Sequence, residues 1–365
     1  MIASLRARWR TGSPPWVEGA LIGLASRLFS VAVLAVAYLA NQPRVAAYWP
    51  TPFEMWDGFW YGSITRFGYH ADAVVPTLVG HGFHDFAFFP AWPLLVRVAS
   101  LNGLLPAEVV APVLANALFV VAAALIFRVM VEISGRPTAR VGLALFAFSP
   151  AGYVYSLDYA EPLFLVAAAA YFLTRTPART AAAAALATIS RLGGLALAAA
   201  ALADLPNPET RRRGVATILA VALTFAAWWI FIAILTGDPL GYMQGSPAWF
   251  SVNPVPTQTG LAGILGREQP GGILTGVYLL LLGIGAARLL RGGRLGLGLF
   301  SAACIVSALL VNWSTMARLA SIAFPAFVAI ADLSANRWYR PALFGGFVAA
   351  QVASIFLAEL HLITP

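Results

Sequence analysis

Charge is scarce in this chain of 365 residues: 10 % are Asp, Glu, Lys or Arg, and 15 are acidic. A water-facing domain needs roughly a quarter of its residues charged, so no soluble domain of useful size fits this composition. Lysine is absent, and all 23 basic residues are Arg. One cysteine, Cys304, excludes an intrachain disulfide and a cysteine-rich metal centre. There is no Walker-type phosphate loop, no G-x-G-x-x-G after a strand pattern, and no H-E-x-x-H or H-x-x-x-H pair among the four histidines. Nucleotide chemistry has no visible foothold, and a metal at His81, His84 and Asp85 is disfavoured by their place in a glycine-containing loop.

What the chain has is apolar length. Hydrophobic residues make up 60 % of it, the mean hydropathy is +0.79, and many runs reach the roughly 17 to 25 residues that a bilayer-crossing helix requires. The pattern predicts an all-α polytopic membrane protein of about ten or eleven spans forming a single domain. The spans are 17–40, 108–131, 141–156, 160–174, 180–203, 214–236, 271–290, 295–311, 316–333 and 341–361. The run 17–40 is too long for a signal-peptide core and reads as an uncleaved first span. Arginine-rich connectors at 135–140, 175–179, 211–213, 288–294 and 336–340, with the basic N-terminus, belong on the cytoplasmic side by the positive-inside rule. That topology explains the net charge of +8 without a nucleic-acid partner. It leaves 41–106, 157–159, 237–270, 312–315 and the C-terminus outside. Mixed aromatics, Pro and charge in 41–106 predict interfacial helices.

One run breaks the alternation. The segment 180–203 lies between two basic connectors that share a side, so a single crossing is inconsistent. Two half-length helices, about 180–190 and 192–203, meeting at Ser190 and Arg191 with Gly193 and Gly194 easing the bend, restore it. Irregular backbone at membrane depth is tolerated where it lines a cavity, so Arg191 is expected to face a water-filled site on the outer side.

Because acidic residues are few, each position carries information. Asp57, Asp85, Asp158 and Glu161 all fall on the outer side in this topology, together with Arg191 and Arg318. Helix capping is the competing explanation for Asp57, Asp158 and Glu161, and helix-end anchoring for Arg318. A carboxylate beside arginines at an outer membrane interface suits transfer of a sugar from a lipid phosphate. Arginine would hold the phosphate, often bidentately, while an Asp takes the proton of an acceptor hydroxyl. Attack opposite the leaving group inverts the anomeric centre.

The blocks carrying these residues resemble the glycosylphosphatidylinositol mannosyltransferase II (PIG-V-like) family, which has the glycosyltransferase C-type membrane fold. The matching residues are Trp56-Asp57 with Gly68-Tyr69, FAFFPAWPL at 86–94, SPA at 149–151, Tyr159-x-Glu161 with Leu163-Phe164, and Arg191-x-x-Gly194. The chain departs from the pattern at Ala160 and at Leu192-Gly193. The resemblance implies a lipid-phosphate mannose donor, Asp57 as the base, Arg191 as the leading phosphate ligand and Glu161 as an orienting or acceptor-binding residue. Arg318 is a second phosphate ligand in this reading. Asp158, Asp85, Tyr69 and Trp92 are substrate-binding or orienting candidates, and Phe89 joins Tyr69 and Trp92 as possible membrane-side wall. The alanine-rich, lysine-free composition reads as bacterial. That implies a polyprenyl-phosphate mannose donor, a plasma-membrane location, and a glycolipid, glycan or protein acceptor. No cofactor is predicted; Mg²⁺ or Mn²⁺ beside the phosphate stays open. The rival class is a lipid-linked sugar transporter or flippase, which also uses broken helices, and a non-catalytic assembly subunit is a third.

Overall fold

The computed structural model describes residues 14–45, 50–72, 83–244, 272–311, 315–333 and 338–360. The expected outer loop 237–270 beyond Gln244, together with His81 and His361, lies outside them. In chain order the helices are α1 (Pro15–Val45), α2 (Asp57–Phe67), α3 (Ala91–Ala99), α4 (Ala107–Ala147), α5 (Glu161–Leu173), α6 (Pro177–Ser190) and α7 (Ala196–Ala201). They continue as α8 (Pro208–Thr236), α9 (Gly241–Gln244), α10 (Gly272–Arg291), α11 (Leu295–Val311), α12 (Met316–Ser321), α13 (Phe324–Leu333) and α14 (Tyr339–Glu359). The described residues include no multi-residue strand. The chain is an all-α polytopic membrane protein. Among the described residues five helices, α1, α4, α8, α10 and α14, are long and apolar enough to cross a membrane, and four apolar stretches of 10–17 residues accompany them.

The helix ends follow local chemistry. Pro177 and Pro208 open α6 and α8, where a missing backbone N–H costs nothing. Asn207 caps α8 by accepting from the Glu209 N–H at 3.0 Å, and Gly237 ends it in the left-handed conformation at φ 70°. The expected spans 108–131 and 141–156 appear as two arms of α4, joined across a break at Gly135, φ 78°. The second arm stops at Ala147 and gives way to a 3-10 turn, Gly152–Ser156, because the chain must reverse there into α5. The break expected inside 180–203 is present. α6 ends at Ser190, Arg191 is extended, and a 3-10 turn at Leu192–Leu195 leads into α7. Gly194 is required by proximity, since a Cβ there would lie 2.3 Å from Thr188 Cα.

Close helix approach through small residues builds the bundle. Gly19 and Gly23 sit one turn apart on α1 against α4, where added Cβ atoms would fall 2.6 Å from Phe127 Cβ and 2.7 Å from Ala123 Cβ. Gly142 meets the backbone of Val328 on α13, and Gly285 that of Ala326. In a bilayer, where burial of apolar surface gives little drive between helices, such contact supplies much of the packing energy. Gly19→Leu is therefore expected to destabilise the purified protein by about 1–3 kcal/mol, the usual cost of overpacking, read as a lowered thermal midpoint in detergent. Gly345→Ala should not lower the midpoint, because a Cβ at Gly345 meets nothing within 4 Å and Ala favours the helix.

Candidate active site

Four charged side chains meet where the beginnings of α2 and α5, the end of α6 and helix α12 converge. Glu161, 1 % exposed, accepts from Arg318 Nε at 2.6 Å through Oε1, and the same oxygen is 2.6 Å from Arg191 Nη1 in an ion pair. Arg318 Nη2 donates in turn to Asp57 Oδ2. Asp57 keeps the largest exposure of the four, 21 % for its side chain. Removing charged groups from water costs several kcal/mol each, so the arrangement is tolerable because two carboxylates face two guanidiniums.

Local structure favours each charge where it stands. Asp57 and Glu161 are the first residues of α2 and α5, at the positive ends of the helix dipoles, and Arg191 stands at the negative end of α6. Neither acid caps its helix through its side chain, so the capping explanation fails for both. The residue ahead of Asp57, Trp56, has φ 54°, a region costly for a large side chain.

Tyr159 holds the two halves of the site together. Its ring lies 4.5 Å from the Arg318 guanidinium, its hydroxyl accepts from the Asp57 N–H at 3.4 Å, and that hydroxyl donates to Met55 O at 3.3 Å. The Tyr61 phenol lies within electrostatic reach of Asp57, Glu161, Arg191 and Arg318. Sequence reading noted Tyr159 only as part of a motif and missed Tyr61; an aromatic run around one acid gives no clue to which ring meets it.

The remaining candidates fall into two neighbouring groups. Asp158 is buried, accepts from Trp92 Nε1 at 2.7 Å, and its own N–H donates to Phe53 O at 2.9 Å. Together these bonds tie α3 and the chain before α2 to the turn before α5. Asp85 stands apart from the charged quartet. It is fully buried and accepts from the His70 N–H at 3.1 Å and pairs with His70 Nδ1 at 2.8 Å. Burial raises the Asp85 carboxyl, and the His70 hydrogen bonds oppose this. Tyr69 donates to Phe88 O at 2.8 Å, and its ring packs on Trp228, 5.1 Å away, beside Phe89. Among the described residues no three of His, Cys, Asp and Glu converge as metal ligands.

Fold and site together define a membrane protein with a buried, charge-balanced acid and guanidinium centre at one end of its bundle. Residues 26–201 match the family model described as Mannosyltransferase (PIG-V). The matched segment, just under half of the chain, carries Asp57, Glu161 and Arg191, and its similarity to that PIG-V-like mannosyltransferase family supports mannosyl transfer by a glycosyltransferase. No curated protein matches it.

Burial raises the Asp158 carboxyl to about 7, with the Trp92 hydrogen bond opposing. The folded protein therefore keeps a proton that the unfolded chain loses near the ordinary Asp value of about 4. Stability should fall as pH rises from about 4 toward about 7 and level off above. Asp158→Asn should flatten that slope in thermal midpoints measured across the same window.

Proposed function

We propose that the chain is an inverting mannosyltransferase of glycosyltransferase C type. It takes mannose from a polyprenyl-phosphate donor and works at the extracytoplasmic face of the plasma membrane, with the N-terminus cytoplasmic. The observation that carries this reading is the Asp57–Arg318–Glu161–Arg191 network, which sets a partly exposed carboxylate against two guanidiniums.

The quartet is formally neutral. A donor phosphate brings negative charge that competes with Asp57 for Arg318, and Arg191 is the second cation within the same network. Asp57, released from its partner, accepts the proton of the acceptor hydroxyl as that oxygen attacks the anomeric carbon. The carbon–oxygen bond to phosphate breaks, its electron pair stays on the phosphate oxygen, and Arg191 and Arg318 stabilise the resulting charge. The products are the mannosylated acceptor, with inverted configuration, and the polyprenyl phosphate. Glu161 keeps the two guanidiniums oriented throughout, and the acceptor is a glycolipid, glycan or protein hydroxyl arriving from the aqueous side. Mannosyl transfer stands ahead of transport because the family match concerns transferases.

The test is transfer from radiolabelled polyprenyl-phosphate mannose to a membrane lipid extract by the purified full chain. A mannosylated product is expected, and Asp57→Asn should lower its rate by about 100-fold or more, the usual contribution of a general base. Arg191→Ala should weaken donor binding as well as turnover. Full turnover by folded Asp57→Asn would overturn the assignment of the base.

A further inference from the structure

A third guanidinium lies in the membrane region outside the quartet. Arg27, on α1, is 2 % exposed, and among the described residues no carboxylate pairs with it. Neutral groups satisfy it instead. Nη1 donates to Ser156 Oγ at 2.8 Å, and Nη2 to Gly152 O at 2.8 Å and Ala147 O at 3.3 Å. Nε reaches Ser26 Oγ at 3.4 Å. The guanidinium also lies 4.1 Å from the Phe119 ring centroid and 5.7 Å from that of Tyr155. An uncompensated buried cation is costly, and such residues in membrane helices are usually functional.

Its partners lead to the reaction centre by two routes. Ser156 accepts from Arg27, donates to Asn116 Oδ1 at 2.9 Å, and is followed at once by the turn that carries Asp158, Tyr159 and Glu161. Tyr155, in the same 3-10 turn, donates to Ser321 Oγ at 2.7 Å, and Ser321 donates to Arg318 O at 2.6 Å. The turn thus touches both the strip of chain bearing Glu161 and the helix bearing Arg318.

We propose that Arg27 is a positioning residue for mannosyl transfer: it fixes the Gly152–Ser156 turn, and that turn sets Glu161 and Arg318 in register with each other. The inference rests on the transferase reading of the site. A planar fork is needed because acceptors fan out around it while its faces meet rings; the point charge of Lys cannot reproduce this.

The experiment compares the purified full chain with Arg27→Lys and with Tyr155→Phe, which removes only the bond to Ser321. Turnover, donor KM, thermal midpoint and hydrogen exchange of backbone amides are measured for each. Arg27→Lys should lower kcat tenfold or more while donor KM stays within about threefold, and exchange should speed up in both 152–161 and 315–322. Tyr155→Phe should speed exchange in 315–322 alone and lower kcat less. Combining Arg27→Lys with Tyr155→Phe should cost little more than Arg27→Lys by itself, since Tyr155 lies on one of the two routes through which Arg27 acts. Faster exchange confined to 152–156, or a kcat unchanged in folded Arg27→Lys, would overturn the proposal, and if Arg27→Lys does not fold, unaltered exchange at 315–322 in Tyr155→Phe would do so. A parent chain that transfers no mannose would count against the transferase reading, whereas the exchange pattern reports on the coupling of the two segments by itself.

Discussion

One carboxylate oxygen, Glu161 Oε1, lies 2.6 Å from guanidinium nitrogens of both Arg191 and Arg318. The first belongs to the broken helix and the second to a short helix far along the chain, so this oxygen fixes the distance between them. Without it, two like charges would face each other in a poorly hydrated setting, where repulsion is large. Asp57 completes the balance through Arg318. The ends of α2, α5 and α6 supply partial charges of the right sign beside these groups. A neutral resting site built from paired charges is also easily unbalanced by an arriving anion, which is what a lipid-phosphate donor would be.

The scaffold around this centre is built for rigidity. Close contacts through Gly19, Gly23, Gly142 and Gly285 bring helix backbones together where no larger side chain fits. The aromatic layer above them couples α2, α3 and the turn before α5: Trp60 stacks on Phe88 at 5.7 Å, and Trp92 holds Asp158. These contacts pack the described parts of the segment between α1 and α4 against the turn that leads to Glu161.

Much of this was legible from the sequence. The basic connectors on either side of 180–203 forced a break, and the chain breaks at Arg191. Scarcity of charge drew attention to Asp57, Glu161, Arg191 and Arg318, which the fold brings into contact. Their pairing was not readable, because Asp57 and Arg318 are 261 positions apart and no periodicity links them. Nor was it readable that Asp85 bonds His70 while Trp92, seven positions further on, bonds Asp158. Gly194 was expected to ease a bend and instead permits contact with Thr188. Arg27 was overlooked although the rule that singled out Arg191, a charge inside an apolar run, applies equally to it.

The most direct test of the central claim is a cryo-electron microscopy map of the purified chain bound to a non-transferable polyprenyl-phosphonate mannose. The phosphonate should sit against Arg191 and Arg318, with Asp57 turned from Arg318 toward the anomeric carbon and Glu161 still holding both arginines. Density for the head group at any other part of the bundle, with the quartet unchanged, would contradict the account.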